Sequence, residues 1–69
     1  MYNYEYKQKN GFKSFGKNLE TIVFSNDCLK LYGTDVVYES SEIIKYHWHI
    51  ILNLEDLVYF KFSPMAKEN

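Results

Sequence analysis

The sequence has little of what stiffens a small domain or carries chemistry in one. Among 69 residues it has one cysteine, one proline and three glycines. The lone Cys28 excludes an internal disulfide and is typical of a reducing compartment. The scattered glycines exclude a glycine-rich phosphate loop. No apolar run approaches the roughly 20 residues of a membrane-spanning helix, and residues 1–6 lack the pattern of a signal peptide, so we expect a cytoplasmic protein without a membrane partner.

Arginine is also absent, and charge is unevenly divided along the chain. The net charge is −1, yet residues 1–18 carry four lysines against one glutamate, and residues 19–69 carry four lysines against eight acidic residues. Arginine is the usual residue for bidentate contacts with phosphates and bases. We therefore expect no sequence-specific reading of duplex DNA, and nucleic acid is not the partner we favour.

Alanine occurs only once, at Ala66, whereas aromatic residues make up 19% of the chain. Aromatic and β-branched side chains favour strands, while helices favour alanine and leucine. The composition predicts a single, mainly β domain over residues 1–69, an antiparallel meander or curled sheet of five or six strands. One short helix fits the pattern, and an α+β arrangement is the alternative. The small core makes self-association, as a homodimer, a route to further burial.

Residues 1–17 read as a basic, aromatic hairpin arm. Tyrosines alternate with polar residues from Tyr2 to Tyr6, and Asn10-Gly11 is a strong two-residue turn signal. The pattern predicts strands over 2–8 and 12–16, ending at Gly16. A two-residue turn would place Tyr6 opposite Phe15.

The clearest strand of the sequence runs from Ile43 to Leu52. Apolar residues alternate along it without a break. The row expected to face the core is Ile44, Tyr46, Trp48, Ile50 and Leu52. The other row places His47 and His49 in solvent.

Three further segments are less determined. Residues 28–33 fit either a strand or one to two helical turns, and 35–39 fit a short strand that ends in a Ser40-Ser41 turn. Asn53 either lies in a loop or caps a short helix, and 57–62 fit either that helix or, as their alternation favours, a last strand. Residues 65–69 are expected to be a disordered tail.

Catalytic and metal-binding arrangements are poorly supported. His47 and His49 lie two residues apart on a strand, so both rings could approach one ion, but a third ligand from Cys28, Glu42 or Asp56 is not required by any spacing. An isolated cysteine is usually a small apolar side chain. We predict no catalytic residue, no metal and no cofactor, and hence no enzyme.

A single-stranded nucleic-acid surface is one alternative reading of the N-terminal arm. Rings that stack on bases, interleaved with cations that follow phosphates, are typical of such surfaces. The residues that would form it are Tyr4, Tyr6, Lys7, Lys9 and Lys13.

Several short motifs resemble one known family. Asp27, Leu31-Tyr32-Gly33, the segment 42–45 (Glu-Ile-Ile-Lys) and Tyr4-Glu5-Tyr6 resemble the small phage-encoded inhibitors of uracil-DNA glycosylase. That resemblance implies a DNA mimic that blocks an enzyme through aromatic contacts, with Tyr32 as one of them.

The sequence as a whole predicts a non-enzymatic interaction protein of phage or mobile-element origin. It would inhibit a host enzyme, such as one that processes nucleic acid, by occluding its active or binding surface. The residues expected to contact the target are Tyr32, Tyr38, Glu39 and Glu42, because an aromatic anchor with acidic neighbours suits a specific interface. The alternatives are the single-strand binder and a structural homodimer formed through β-strands.

Overall fold

The computed structural model describes residues 1–66, which form one antiparallel sheet of five strands. The strands are β1 (Tyr2–Gln8), β2 (Lys13–Phe24), β3 (Cys28–Glu39), β4 (Glu42–Asn53) and β5 (Leu57–Pro64). Their spatial order is β4-β3-β2-β1-β5, so the first four strands form a meander and β5 crosses to the far side of β1. The predicted mainly β, antiparallel fold is confirmed.

The less determined segments are resolved in favour of strands. Residues 28–33 and 35–39 belong to one continuous strand, β3. Before β5 the chain makes one 3-10 turn, Leu54–Asp56, and the Asn53 side chain caps it by accepting a hydrogen bond from the Glu55 N–H at 3.1 Å. Met65, which was expected to belong to a disordered tail, is instead bound to the sheet, since its N–H donates to the Met1 carbonyl at 3.1 Å. Residues 67–69 lie outside the described part.

The N-terminal hairpin has a different register from the predicted one. The Gln8 N–H donates to the Phe12 carbonyl at 2.8 Å, which makes the loop wider than a two-residue turn. Tyr6 therefore faces Ser14, and Phe15 faces Glu5. A shift of one residue moves a side chain to the opposite face of a sheet. Phe15 accordingly points away from the core and is 78% exposed.

Strand β2 does not end at Gly16 but continues to Phe24. Its first part pairs with β1 and its second part with β3. Asn18 lies between the two parts with φ of 67°, and the register shifts beside it. This irregularity has the character of a β-bulge, which bends a strand. It lets β2 turn from one neighbour to the other.

Five buried side chains form the core, all on one face of the sheet, which we call the core face; the opposite face is the outer face. They are Tyr6, Leu19, Leu29, Leu31 and Leu52. Trp48 and Ile50 pack against this cluster. All of the predicted row of β4 lies on the core face, but only its second half packs in the core: Ile44 and Tyr46 do not pack against the cluster, and Tyr46 is 52% exposed.

The first half of β4 lies in a part of the molecule that no third strand supports. The ladder between β2 and β3 covers Leu29 to Gly33 of β3 and ends there, whereas β3 and β4 pair with each other up to Glu39 and Glu42. Residues 35–46 therefore extend as a two-stranded hairpin, which we call the ribbon. The remainder of the described chain is the body. The predicted turn closes the ribbon, with φ of 48° at Ser40 and 67° at Ser41.

Candidate functional site

The ribbon exposes apolar side chains on both of its faces. On the outer face Tyr38 lies opposite Ile43, and these side chains are 78% and 62% exposed. On the core face Val37 lies opposite Ile44. In the body the core-face residues Leu29, Leu31 and Leu52 of β3 and β4 are buried, but the ribbon has only two strands, and on its core face Val37 and Tyr46 are 42% and 52% exposed. Contiguous exposed apolar surface of this kind marks interaction sites.

Acidic residues surround this apolar surface. Glu39 and Glu42 face each other beside the turn, and Asp35 lies at the base of the ribbon. Lys45, opposite Val36, is the one basic residue of the ribbon. The ribbon therefore carries a net charge of −2, so its electrostatic field favours a basic partner surface and repels nucleic acid.

The base of the ribbon is held by polar contacts to Asp35. One oxygen of its carboxylate accepts hydrogen bonds from Trp48 Nε1 and from Asn18 Nδ2, both at 3.2 Å. The Trp48 ring lies directly over Gly33, where a side chain would collide with it. Only glycine at position 33 leaves room for the Trp48 ring to lie where its N–H can donate to Asp35. These contacts fix where the ribbon leaves the body.

A shallow cleft of about 570 Å³ opens where β2 bends away from β3. Tyr4 and Trp48 line it, with their ring centroids 5.7 Å apart, and Asp35 lies at its edge. The pKa of the Tyr4 hydroxyl is raised, first by burial and then by the neighbouring Tyr6 and Asp35. Tyr4 therefore remains neutral and serves as a packing side chain in this cleft.

Three of the four predicted contact residues come together at the ribbon tip. Tyr38, Glu39 and Glu42 lie within two positions of the turn. Tyr32 lies on the same face as Tyr38 but about 20 Å away, since six residues of a strand separate them. It is 40% exposed, and its ring centroid lies 6.2 Å from that of His49.

Sequence reasoning missed most of the apolar residues that the ribbon exposes. They are Val36, Val37, Ile43 and Tyr46. Strand length gave no signal for them, since β2, like β3 and β4, has 12 residues. They are exposed because β2 pairs with β3 only as far as Gly33, so the last part of β3 has no neighbour on that side.

The residues predicted for a single-strand surface are divided between the two faces. Tyr4 and Tyr6 lie on the core face, where Tyr6 is only 6% exposed. Lys7 and Lys13 face each other on the outer face, and Lys9 lies in the loop, with its N–H donating to the Asp56 carbonyl at 2.7 Å. The rings and the lysines therefore do not form one surface.

A different set of residues combines rings and lysines on the outer face of the body. We call it the basic outer face, and it consists of Lys7, Lys13, Phe15, Tyr59 and Lys61, which lie around Glu5. A shallow groove of about 460 Å³ crosses it between Phe15 and Lys61. Lys61 Nζ also lies 5.7 Å from the centroid of the Tyr59 ring.

Glu5 organises this face. Its carboxylate accepts a hydrogen bond from the Tyr59 hydroxyl and lies 3.6 Å from Lys13 Nζ and 3.7 Å from Lys61 Nζ. The hydrogen bond from Tyr59, followed by the two lysine charges, lowers the pKa of Glu5. The same hydrogen bond raises the pKa of Tyr59, because the hydroxyl must keep its proton to donate.

The two histidines lie on the outer face, as predicted. His47 Nδ1 is 3.0 Å from Thr34 Oγ1, and His49 lies against Tyr32. Within residues 1–66, no three side chains of His, Cys, Asp or Glu are grouped so that they could hold a metal ion. Cys28 is half-buried opposite Asn53. Nor does the described part of the chain contain a helix long and apolar enough to cross a membrane.

Comparison with known proteins gives no relative for this chain. No family model, no curated protein and no solved structure matches it significantly. The arguments for function therefore come from the ribbon and the basic outer face themselves.

Proposed function

We propose that this chain is a non-enzymatic interaction protein that inhibits another protein by occluding its active or binding surface with the ribbon. The observation that supports this most directly is the exposure of Tyr38 and Ile43, 78% and 62%, on a hairpin that extends from the body. A folded domain gains nothing in its own stability from such exposure, whereas a partner that covers these side chains gains their burial.

Tyr38 serves as the anchor in this proposal. Tyrosine is enriched among the residues that dominate binding energy, and such residues lie at the centre of an interface with others around them that exclude water. Ile43 lies beside Tyr38 and widens the apolar centre. Glu39 and Glu42 at the rim select a basic surface, since rim charges steer association and disfavour like-charged partners.

A host enzyme that acts on nucleic acid fits this chemistry, because its substrate-binding surface is basic. The carboxylates of Glu39 and Glu42 would occupy positions that phosphates use, and Tyr38 would enter an adjacent apolar pocket. Inhibition then follows from occlusion and needs no chemical step. The size and composition of the chain fit a phage or mobile element as its source.

The test compares two equally exposed aromatic residues. Tyr38→Ser removes the anchor from the ribbon, and Phe15→Ser removes a ring of the same 78% exposure from the body. We expect the Tyr38 variant to lose capture of the host enzyme by at least tenfold, the loss that 1.4 kcal/mol produces. The Phe15 variant should capture it as the unchanged protein does. Capture from host lysate, followed by inhibition assays on the purified enzyme, measures both.

Two outcomes would overturn this proposal. One is equal loss of capture in both variants, which would place the contact elsewhere or show a general surface effect. The other is the absence of any specifically captured enzyme. Glu39→Gln and Glu42→Gln provide a second test. Each should slow association with the target, chiefly at low salt, because salt screens the charges that steer the encounter.

A second function is supported by the basic outer face, where lysines surround Phe15 and Tyr59. These side chains could follow the phosphates of a single strand and stack on its bases. If so, affinity for an oligonucleotide should fall steeply with salt, and Lys61→Gln should reduce that dependence. The absence of binding at low salt excludes this alternative.

A further inference from the structure

Strand β4 reads almost the same in both directions from His47. Ile43 and Ile44 on one side match Ile50 and Ile51 on the other. Nearer the centre, Tyr46 matches Trp48, and Lys45 matches His49. The strand is therefore a palindrome in chemical character. Outward from His47 on either side come an aromatic residue, then a lysine or histidine, then two isoleucines.

The strand is also an edge of the sheet. β3 pairs with it on one side, and no strand of residues 1–66 pairs with it on the other. The Ser40-Ser41 turn closes on Glu39 and Glu42, so these two residues form a hydrogen-bonded pair, and such pairs alternate along an antiparallel ladder. The odd-numbered residues of β4, from Ile43 to Ile51, consequently direct their N–H and C=O groups away from β3.

We propose that a second copy of this chain pairs with the free edge of β4, antiparallel, with the two-fold axis at His47. Two-fold symmetry requires each residue to meet the equivalent of its counterpart across the axis. Ile43 then meets the partner's Ile51, and His47 meets the partner's His47. Only a strand that is complementary to its own reverse satisfies this condition, and the palindrome of β4 meets it. The sequence of β4 itself thus identifies a second copy of this chain as the strand that pairs with its free edge.

The alternation of the strand fixes the register. Centring on His47 places outward-directed residues opposite each other, so the backbone groups of both strands can form hydrogen bonds. If the two-fold axis lay at Tyr46 instead, Ile43 would face the partner's His49. If it lay at Trp48, Lys45 would face the partner's Ile51. Both shifts replace apolar pairs by mixed ones, which stabilise a sheet less.

Pairing of this kind also covers what the ribbon leaves exposed. Ile43 in the ribbon is 62% exposed and Ile51 in the body is 59% exposed, and the dimer sets each against the other. The ribbon gains a third strand from its partner's body. The contact involves one strand of 12 residues per copy, against about 20–30 residues per side in a standard interface. The dimer should accordingly be reversible and depend on concentration.

Single cysteines test both the dimer and its register. In a Cys28→Ser background, His47→Cys brings the two introduced thiols to the axis, where facing α-carbons in a hydrogen-bonded pair are about 5.5 Å apart and can form a disulfide. Ile43→Cys is the control on the same strand. Its α-carbon would lie about 27 Å from its equivalent, eight residues along the ladder.

The expected result is a covalent dimer for His47→Cys under mild oxidation and none for Ile43→Cys. The double variant with cysteine at both 43 and 51 should form it again. Sedimentation of the unchanged protein should show mass rising with concentration, which keeps the test independent of whether a variant folds. A monomer at every concentration overturns the dimer, and equal cross-linking of the two single variants overturns the register. The inference does not depend on the ribbon binding another protein.

Discussion

Strands β3 and β4 run through both the body and the ribbon, and the two regions differ in what lies beside these strands. In the body β2 supplies a third strand, and Leu29, Leu31 and Leu52 are each at most 2% exposed. In the ribbon the core face of the same two strands has no third strand beside it, and Val37 and Tyr46 are 42% and 52% exposed. The same face of the same two strands therefore ends in opposite environments.

The difference shows that alternation determines which face a side chain occupies but not whether that face is covered. Coverage depends on where β2 leaves β3, at the bend beside Asn18. The body should consequently carry the stability of the molecule, and the ribbon its capacity to bind. Substitutions in the two regions can separate these roles.

The largest expected effect is that of Leu31→Ala in the body. Leu31 is fully buried, and truncating a buried leucine typically costs about 2–5 kcal/mol. A core of this size supplies roughly 3–5 kcal/mol in total, so the loss is comparable with the whole stability of the domain, and the urea midpoint should fall to less than half its value or the folded state be lost. Urea unfolding followed by circular dichroism measures this.

Val37→Ala, in the ribbon on the same strand and the same face, is the matched control. Its side chain is 42% exposed, and surface substitutions usually change stability by less than about 0.5 kcal/mol. Equal losses for the two variants would contradict the division into body and ribbon.

The second prediction concerns Gly33, where the two regions meet. A Cβ there would lie 2.5 Å from the backbone oxygen of Asn18 and would also collide with the Trp48 ring. Overpacking of this kind costs about 1–3 kcal/mol. We expect Gly33→Ala to lower the free energy of unfolding by that amount and to displace Trp48, which shifts its fluorescence.

Gly11→Ala separates collision from backbone strain. No atom lies within 4 Å of the corresponding Cβ, but φ is +93°, so only backbone strain of about 1–2 kcal/mol is expected. The Trp48 fluorescence should not change in this variant. A shift in both variants would show that the signal reports general destabilisation.

The sequence predicts the fold class and the best strand for a simple physical reason. Period-two alternation over Ile43–Leu52 is incompatible with a helix, and the Ser40-Ser41 pair lies between two such segments. The orientation of His47 and His49 follows from the same alternation. These features depend on neighbours in the chain and can be read locally.

Features that depend on distant segments could not be read in this way. Asn10-Gly11 fits a two-residue turn, but the wider loop found here places Phe15 rather than Ser14 on the outer face. The exposure of Tyr46 depends on where β2 bends, which no residue near position 46 encodes. The gathering of Tyr38, Glu39 and Glu42 was predicted because the turn between them is local.

The third prediction tests whether the ribbon opens independently of the body. Ser40 and Ser41 both have positive φ, which costs a residue with a side chain about 1–2 kcal/mol, whereas glycine adopts it freely. Ser41→Gly should stabilise the ribbon by up to about 1 kcal/mol, since part of the gain is offset by the greater freedom of glycine in the unfolded chain.

Hydrogen exchange of individual amides measures this change. Exchange should slow for ribbon amides such as that of Ile44, while the amides of Leu29 and Leu31 remain as they were, because local opening involves only part of a structure. Uniform slowing across the sheet would mean that ribbon and body open as one unit.

The smallest effect is expected from Glu5→Gln, and it depends on pH. The hydrogen bond from Tyr59 and the nearby Lys13 and Lys61 lower the pKa of Glu5 from its ordinary 4.5 in the folded state. A lowered folded pKa stabilises the protein above the unfolded value and loses that contribution as pH falls through the folded pKa. The stability difference between the unchanged protein and Glu5→Gln should thus be greatest near neutral pH and shrink below pH 4.5.

Urea midpoints across this pH range measure the trend, and Glu20→Gln is the control. Glu20 is exposed on β2 and has no ion pair to the described residues, so its substitution should not show the trend. A parallel trend for Glu20 would mean that total charge, rather than the contacts of Glu5 on the body, governs the response to acid.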